Sequence, residues 1–249
     1  MSISLAGRTA LVTGGARGIG LEISRQLIAQ GCRVVAVGRN TRHLDALKAE
    51  GGKQVAVIQA DLSQQTEIDR LITRLTAEHP DISILINNAG IQREMDLFHD
   101  PLTETIPGTR REIALNLDGL ICLTLGLLPV LSAQKSAHIV NITSALAVVP
   151  KAASPVYCAT KAAARSFTTT LRYQCEDHAP HVKVSEAIMA LVDTDMTAGR
   201  GTRKISAHVA AKEVIAGLAR GRREIWVGKT KILRILHRAL PAVAASIMR

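Results

Sequence analysis

Aromatic residues are scarce in this chain: phenylalanine, tryptophan and tyrosine together make up 2% of the sequence. Proteins that bind single-stranded nucleic acid stack bases on such side chains, so the scarcity argues against a nucleic-acid partner. Because 47% of the residues are nevertheless apolar, the chain can bury a sizeable core. The sequence therefore predicts a core built from alanine, valine, isoleucine and leucine.

The chain also lacks closely spaced cysteines and long apolar runs. Its four cysteines stand far apart, at Cys32, Cys122, Cys158 and Cys175. This spacing does not suit a disulfide framework or a zinc knuckle, so we expect free thiols in a reducing compartment and no metal site. The N-terminal stretch MSISLAGRTALVTGG lacks the pattern of a signal peptide, and no window reaches the roughly 18 uninterrupted apolar residues of a spanning helix. We expect a cytoplasmic protein.

Positive and negative charges balance over most of the chain but not at its end. The net charge of +10 would by itself suggest a nucleic-acid or membrane partner. Residues 200–249 hold twelve Lys/Arg against two Asp/Glu, whereas residues 1–199 hold 19 of each sign. The basic character therefore belongs to the C-terminal part alone.

Short, β-rich apolar runs alternate with longer segments whose apolar residues recur about every 3.6 positions. We predict seven strands, at residues 9–13, 33–38, 54–60, 82–90, 137–144, 182–189 and 223–228. Segments 19–31 and 66–79 are the clearest helices. The expected fold is α/β: a single-domain, Rossmann-type doubly wound fold, with about seven parallel strands and helices on both faces. We assign the domain to residues 1–228 and a basic amphipathic tail to residues 229–249.

A glycine-rich turn, TGGARGIG, joins the first strand to the first helix at residues 13–20. Glycines allow the backbone to approach a pyrophosphate closely, and the helix N-terminus stabilises its charge. An ordinary βα turn carries one or two glycines, whereas this turn has Gly14, Gly15, Gly18 and Gly20. The pattern favours a dinucleotide site over an ordinary turn.

The TGxxxGIG spacing of this turn resembles that of the short-chain dehydrogenase/reductase family. Further motifs match in the family's order: Asp61-Leu62, the NNAG of residues 87–90, Asn116, Ser144, and Tyr157 with Lys161. The match covers nearly the whole chain. More narrowly, NNAGIQRE, PVYCATKAA and EIWVGK resemble a bacterial branch, the DltE-like proteins, which is named for a gene of a lipoteichoic-acid D-alanylation operon.

The resemblance implies an oxidoreductase that moves a hydride between a nicotinamide cofactor and a small-molecule carbonyl or secondary alcohol. It assigns the catalytic roles to Asn116, Ser144, Tyr157 and Lys161. It assigns cofactor contacts to Thr13, Gly14, Arg17, Gly18, Ile19, Gly20, Arg39, Asp61, Leu62, Asn87, Ala89, Gly90, Tyr157, Lys161 and Thr194. Because members of the family are commonly homodimers or homotetramers, we expect the same here.

The end of the second strand bears on the choice between NAD and NADP. A carboxylate there would hydrogen-bond the adenosine ribose and favour NAD, but Gly38 occupies the position, followed by Arg39. Arg39 and Arg17 could bracket a 2′-phosphate, as in the NADP-preferring members that the chain resembles. The alternatives are a solvated Arg39 and, for the adenine contact at Asp61, a helix N-cap. We expect NADP (NADPH).

Tyr157 precedes Lys161 by four residues, which places both side chains on one face of a helix. A phenol with a pKa near 10 is a poor acid–base catalyst at neutral pH, and a nearby cation lowers that pKa. The spacing alone is weak, since Tyr173 has an acidic residue at the same offset. With the other motifs present, the resemblance implies that Tyr157 transfers a proton. Ser144 would orient the substrate oxygen, and Asn116 would belong to the proton relay.

The chain departs from the family pattern after the sixth strand, where Met189 and Ala190 replace the usual Pro-Gly. Losing a glycine is costly where a positive φ is needed, so we expect a local change beside the nicotinamide. In the loop that follows, Arg200, Arg203 and Lys204 could attract an anionic substrate. A run of basic residues like this one more often belongs to a solvated, mobile loop.

The tail has the pattern of a basic amphipathic helix, with Lys231, Arg234 and Arg238 opposite its apolar residues. Such a helix suits a membrane surface, and it suits packing against the body or a partner subunit at least as well. We expect packing, and a peripheral membrane contact stays open. The alternative function is an NADP-binding scaffold or sensor with little turnover, docked through this tail.

Overall fold

The computed structural model describes residues 4–242, which contain nine strands and eight α-helices. The strands are β1 (Thr9–Thr13), β2 (Arg33–Gly38), β3 (Val55–Gln59), β4 (Ile82–Asn87), β5 (Ala137–Ser144), β6 (Val182–Met189), β7 (Val192–Asp193), β8 (Ile205–Ser206) and β9 (Glu224–Trp226). The helices are α1 (Gly18–Ala29), α2 (Thr41–Gly51), α3 (Gln65–Glu78), α4 (Leu102–Ile113), α5 (Gly119–Ser132), α6 (Pro155–His178), α7 (Ala207–Ala219) and α8 (Thr230–Ala239). A π-helical turn, Ala114–Asp118, joins α4 to α5.

Seven strands form one parallel sheet in the order β3-β2-β1-β4-β5-β6-β9. Every residue of β1 and β4 is buried, which explains why TALVT and ISILIN do not alternate between apolar and polar positions. β7 and β8 form a separate two-stranded sheet that the sequence pattern did not predict. The predicted seven-stranded parallel fold is confirmed.

Two aliphatic clusters cover the two faces of the sheet. The first contains residues of α1, α2 and α7, among them Ile23, Leu47 and Val214. The second contains residues of α3, α5 and α6, among them Leu71 and Leu127. All four cysteines are free thiols, as expected. Because helices cover both faces, the doubly wound arrangement is confirmed as well.

The helical stretch of residues 102–132, formed by α4, the π-turn and α5, is long and apolar enough to cross a membrane by length and composition. It has a window with a mean hydropathy of 1.9, and 44% of that window is buried. In α5, Leu123, Leu127 and Leu131 are fully buried in the cluster that α5 shares with α3 and the sheet. A core helix of this kind has the same composition, so its packing accounts for the hydropathy.

The strand order reverses at β1, because β2 and β3 lie on one side of it and β4, β5, β6 and β9 on the other. In sheets of this kind a crevice opens at the reversal, beyond the carboxyl ends of the strands. The glycine turn follows β1 and the NNAG segment follows β4. Two motifs that are distant in sequence therefore meet at this edge of the sheet.

The helix α8 contacts the body through its first turns. Lys231 pairs with Glu213 at 2.7 Å, and the guanidinium carbon of Arg234 lies 5.5 Å from the centroid of the Trp226 ring. Ile232 and Ile235 face outwards, at 68% and 70% exposed, whereas Leu233 and Leu236 are half-buried. The rest of the predicted tail lies outside the described residues.

A buried histidine joins β5 to β6. His138 Nε2 donates to the Ser185 hydroxyl oxygen at 2.7 Å, because that hydroxyl itself donates to the Arg222 carbonyl oxygen. Its Nδ1 has no hydrogen-bond partner within residues 4–242. Burial, assisted by the charges of Arg8 and Lys183, lowers the pKa of His138 to about 4. The imidazole is therefore neutral at physiological pH.

We expect the fold to lose stability as the pH falls from 6.5 towards 4, because the unfolded chain takes up a proton that folded His138 does not. This difference in pKa corresponds to about 3 kcal/mol once the pH is below the folded value. Urea unfolding at neutral pH and at about pH 4.5 should show a smaller acid loss in His138→Gln than in the wild type. His99→Gln, at an exposed histidine, should match the wild type. Equal acid losses in all three proteins would contradict this assignment.

Candidate active site

Hydrogen bonds to the segment after β4 hold the glycine turn in place. The Thr13 hydroxyl oxygen accepts from the backbone N–H groups of Asn88 at 2.9 Å and Ala89 at 3.0 Å. The Asn88 side-chain amide donates to the Thr13 carbonyl oxygen at 2.9 Å, a contact that sequence reasoning missed. A Cβ on Gly20 would overlap the Gly14 carbonyl oxygen, so only glycine fits where the turn enters α1. The backbone forms a narrow cradle at the N-terminus of α1, as a pyrophosphate requires.

The two arginines predicted to hold a 2′-phosphate are partly exposed, and each has an acidic partner. Arg17 Nε lies 2.9 Å from Asp195 Oδ2, and Arg39 Nη1 lies 3.5 Å from Asp61 Oδ2. Ion pairs this accessible to solvent contribute little to stability. Either arginine can therefore exchange its carboxylate for a phosphate at small cost.

Asp61 is not the helix N-cap that was the alternative prediction, because α3 begins only at Gln65, with Gln64 as its N-cap. Asp61 instead accepts hydrogen bonds from the Ser63 backbone N–H at 3.0 Å and hydroxyl at 2.7 Å. Burial alone would raise the pKa of Asp61, but the Ser63 hydrogen bonds and the Arg39 charge outweigh it and lower that pKa. The carboxylate is thus ionised and fixed just beyond β3.

Three predicted cofactor residues direct their side chains into the core. Leu62 and Ile19 pack in the aliphatic clusters on opposite faces of the sheet. The Asn87 side-chain amide donates to Thr124 Oγ1 of α5 at 2.9 Å and to Asn141 Oδ1 of β5 at 2.8 Å. The Asn87 side chain therefore ties β4 to its neighbours. Leu62, Ile19 and Asn87 can contact a cofactor only through their backbone atoms.

Asn116, Gly90 and Lys161 come together below the crevice. The Cβ position of Gly90 lies 3.1 Å from Asn116 Oδ1 and 3.6 Å from Lys161 Nζ. Asn116 Oδ1 accepts from the Ile91 N–H and its Nδ2 donates to the Ile91 carbonyl oxygen, both at 2.8 Å. Asn116 lies in the π-turn, where the regular helical hydrogen bonding is interrupted. Its side chain fixes the backbone that follows the NNAG motif.

Tyr157 and Lys161 lie on the face of α6 that contacts β5. Lys161 Nζ lies 5.8 Å from the centroid of the Tyr157 ring and donates to the Ile142 carbonyl oxygen at 2.9 Å. Ser144 is the last residue of β5 and lies beside the phenol, and its Oγ accepts from the Leu146 N–H at 3.1 Å. The structure thus brings these three predicted residues together at the carboxyl end of β5.

Burial controls the protonation of both groups. It raises the pKa of Tyr157 to about 12, although the neighbouring Ser144 hydroxyl acts in the opposite direction. It lowers the pKa of Lys161 to about 8, an effect that the charge of Glu112 partly opposes. In the polypeptide by itself, loss of hydration is the largest effect on the Tyr157 phenol and outweighs the Ser144 hydrogen bond, so the pKa is raised. A lowering of that pKa by Lys161 stays a prediction. At neutral pH the phenol is protonated and the lysine is charged.

Glu112 is a fully buried acid that sequence reasoning missed. Its Oε1 accepts from the Arg93 backbone N–H at 3.3 Å, and its Oε2 has no hydrogen-bond partner in the described part of the chain. Burial raises the pKa of Glu112, while the charges of Arg93, Arg200 and Lys161 oppose that rise. Charged helix residues usually face solvent, and only the four-residue offset from Asn116 could have indicated this position.

The departure from the family pattern after β6 causes no backbone strain. Met189 is buried at the end of β6 and is paired in register with Ser144. Neither Met189 nor Ala190 has a positive φ, so the cost expected for a lost glycine does not arise. Thr194 follows, and its methyl group lies 3.4 Å from the Cβ position of Gly18. The glycine turn and this segment face each other across the crevice.

The chain is similar over most of its length to proteins of one family. The family model described as short chain dehydrogenase matches residues 8–205. The uncharacterized oxidoreductase DltE of Bacillus subtilis is 36% identical over 246 residues, which make up 95% of this chain and 94% of the relative. The NADP-dependent 3-hydroxy acid dehydrogenase YdfG of Escherichia coli K12 is 36% identical over 182 residues, or 73% of this chain and 71% of the relative.

The fold has a similarly close counterpart among solved structures. A short chain dehydrogenase from Burkholderia cenocepacia, crystallised in complex with NADP, superposes with a TM-score of 0.86. It is 27% identical in sequence, and the superposition covers 99% of this chain and 100% of that one. The likeness therefore extends over the crevice as well as the sheet.

Replacing Thr13 by valine nearly preserves the volume of the side chain but removes the hydroxyl oxygen that accepts from the backbone N–H groups of Asn88 and Ala89. We expect Thr13→Val to lower the free energy of unfolding by about 2 kcal/mol, the cost of buried donors left without a partner, and to weaken dinucleotide binding. Thr13→Ser keeps the hydroxyl and should retain most of both properties. Urea unfolding and cofactor titration measure the two effects. Similar losses in the two variants would show that the hydroxyl does not hold the turn.

Proposed function

The chain belongs to the short-chain dehydrogenase family of oxidoreductases, and on that basis we propose that it reduces a carbonyl compound to a secondary alcohol with NADPH. The observation that carries this proposal is the pair of half-buried Tyr157 and buried Lys161, set beside Ser144 at the carboxyl end of β5. The glycine cradle lies beyond β1 in the same edge of the sheet. One crevice can therefore serve both hydride donor and proton donor.

The residues of the crevice fit a nicotinamide dinucleotide with a 2′-phosphate. Only glycine fits at position 20, so the backbone N–H groups that open α1 can approach the pyrophosphate. Arg17 and Arg39 would hold the 2′-phosphate, Asp61 would contact the adenine, and Gly38 offers no carboxylate to the ribose. The Escherichia coli relative is named NADP-dependent and the Burkholderia cenocepacia structure contains NADP, which supports this choice.

Tyr157 is the proton donor in this proposal. When bound, the cofactor supplies the hydride. With a pKa of about 12, the Tyr157 phenol carries its proton throughout the physiological range and can donate it to the carbonyl oxygen. The Ser144 hydroxyl orients that oxygen towards the phenol. Alcohol oxidation would need the phenolate, which burial disfavours, so the protonation state suits reduction at neutral pH.

Lys161 and Asn116 support the proton donor. Lys161 is mostly charged at neutral pH, since its pKa is about 8, and in this proposal it would hold the nicotinamide ribose hydroxyls. The Asn116 side chain fixes the backbone beside it. In this proposal the π-turn that carries Asn116 would bind a water of the proton relay. A relay from solvent through this turn and Lys161 would return a proton to Tyr157.

The alternative of a scaffold with little turnover is not favoured. Two features supported that alternative: the altered Met189-Ala190 turn and the basic tail. The altered turn carries no backbone strain. Residues expected to perform the chemistry lie near one another, since Asn116 and Lys161 both border Gly90 and Lys161 lies beside Tyr157. A membrane contact through α8 stays a hypothesis, which vesicle co-sedimentation would test.

We further propose that the protein is a homodimer or homotetramer. Several helices present exposed apolar side chains: Leu125 of α5 is 52% exposed, Tyr173 of α6 is 57% exposed, and Ile235 of α8 is 70% exposed. Contact with a second copy of the chain would cover exposed apolar side chains of this kind. The mass of the purified protein in solution decides between these states and a monomer.

We expect NADPH to bind more tightly than NADH, because only NADPH carries the phosphate that Arg39 would hold. Arg39→Ala should weaken NADPH binding by about 10- to 100-fold and change NADH binding by less than about twofold. Arg33→Ala removes a charge at the other end of β2 and should change neither affinity. Titration followed by cofactor fluorescence measures both. A preference for NADH would refute the arginine assignment, and binding of neither would oppose the proposed function.

We expect Tyr157→Phe to slow ketone reduction by about 10²- to 10⁴-fold while NADPH binding is kept, because the proton donor alone is lost. Tyr173→Phe, at the other tyrosine, should retain the wild-type rate. The wild-type rate should also decline as the pH rises through about 8, where Lys161 loses its charge. NADPH absorbance follows each reaction. A Tyr157→Phe variant as fast as the wild type would contradict the mechanism.

A further inference from the structure

Arg200 is turned towards the active site by the loop between β7 and β8. It lies between Gly199 and Gly201, whose φ values of 73° and 56° belong to the left-handed region that favours glycine. A Cβ on Gly201 would also lie 2.6 Å from Leu191 Cδ2. The Arg200 side chain is only 25% exposed, whereas Arg203 of the same loop is exposed. The prediction of a solvated loop therefore does not hold for Arg200 or for Lys204, whose side chain is 16% exposed.

The Arg200 guanidinium is incompletely satisfied. Its Nη2 donates to the Gln92 carbonyl oxygen at 3.4 Å, and its Nε lies 3.8 Å from Glu94 Oε1. Both contacts are long, and the same Glu94 oxygen is 2.8 Å from Lys151 Nζ. Arg200 Nη1 is buried and has no hydrogen-bond partner within residues 4–242. A buried charged donor without an acceptor is costly, so this nitrogen is poised for a ligand.

The segments around Arg200 also border Tyr157. The Gln92 side chain donates to the Ser154 hydroxyl oxygen at 3.0 Å, and Ser154 directly precedes the helix that carries Tyr157. The charge of Arg200 is close enough to oppose the rise in pKa that burial causes at both Tyr157 and Glu112. Burial raises the pKa of Glu112, which weakens it as a permanent counter-ion. The positive charge therefore lies at the reacting end of the crevice.

We propose that Arg200 binds a carboxylate of the substrate, so that the enzyme reduces oxo acids in preference to neutral ketones. This inference rests on the proposed function and names its substrate class. The planar guanidinium can offer Nη1 together with a second N–H group to the two oxygens of a carboxylate, a geometry that also fixes orientation. The carbonyl of the same substrate would then be held near Tyr157 and Ser144.

The rest of the loop has different partners. Lys204 Nζ donates to the Thr197 carbonyl oxygen at 2.6 Å and lies 3.4 Å from Asp193 Oδ1, so it joins the two sides of the loop. The exposed Arg203 adds positive charge to the loop without entering the site. Arg203 therefore offers a matched control, since neutralising it removes the same charge from the same loop.

The test compares oxo acids with their methyl esters: pyruvate, acetoacetate and laevulinate place the carboxylate progressively farther from the ketone. For the best acid we expect wild-type kcat/KM to exceed that of its ester by at least about tenfold. Arg200→Gln should lower kcat/KM for that acid by about 10- to 100-fold, mainly through KM, and change the ester by less than about twofold. Arg203→Gln should leave both substrates unchanged.

The outcomes separate this inference from the proposed function. Ester reduction with no preference for acids, or equal losses on acid and ester in Arg200→Gln, would overturn the inference and leave the reductase intact. If neither kind of substrate is reduced, the proposed function fails. The inference is then judged by titrating the complex of Tyr157→Phe and NADPH with the same acids. Binding that Arg200→Gln abolishes would support it, and binding that is absent or insensitive to Arg200→Gln would refute it.

Discussion

Loss of hydration around the Tyr157 phenol is the constraint on which the site depends. Burial raises the pKa of Tyr157 to about 12 and lowers that of Lys161 to about 8, so both groups hold protons at neutral pH. The parallel sheet sets their position: β5 supplies the carbonyl oxygen of Ile142 to Lys161 and ends at Ser144. The junction of β5 and α6 thus holds the proton donor, Tyr157, and beside it a second protonated group, Lys161.

The fold was predictable from the sequence because burial on both faces leaves a strong pattern. Strands such as TALVT and ISILIN are mostly apolar and are buried along their whole length, and the helices between them show a clear apolar side. The short elements were not predictable. β7 and β8 have two residues each, too few for any periodicity, and the π-turn differs from a regular helix by its hydrogen bonds alone.

The positions of the site residues were predictable, but their orientations and environments were not. Asn87 belongs to the NNAG motif, yet its side chain joins Thr124 and Asn141 in the core. The raised pKa of Tyr157 could not be predicted from the sequence, because it comes from loss of hydration in the folded chain. Arg200 was one of several basic residues in a loop, and the left-handed conformations on either side of it distinguish it only in the folded chain. Sequence spacing indicates which residues can meet, whereas desolvation and loop geometry decide what they do.

The scarcity of aromatics makes the protonation of Tyr157 directly measurable, since the chain has two tyrosines. The other, Tyr173, is 57% exposed and serves as an internal reference. Ultraviolet absorbance of tyrosinate, followed from neutral to high pH in the wild type and in Tyr157→Phe, isolates the Tyr157 step by difference. We expect no ionisation of Tyr157 below about pH 10, the ordinary pKa of the side chain. A difference signal whose midpoint lies well below that value would show that the cation, and not burial, controls the phenol.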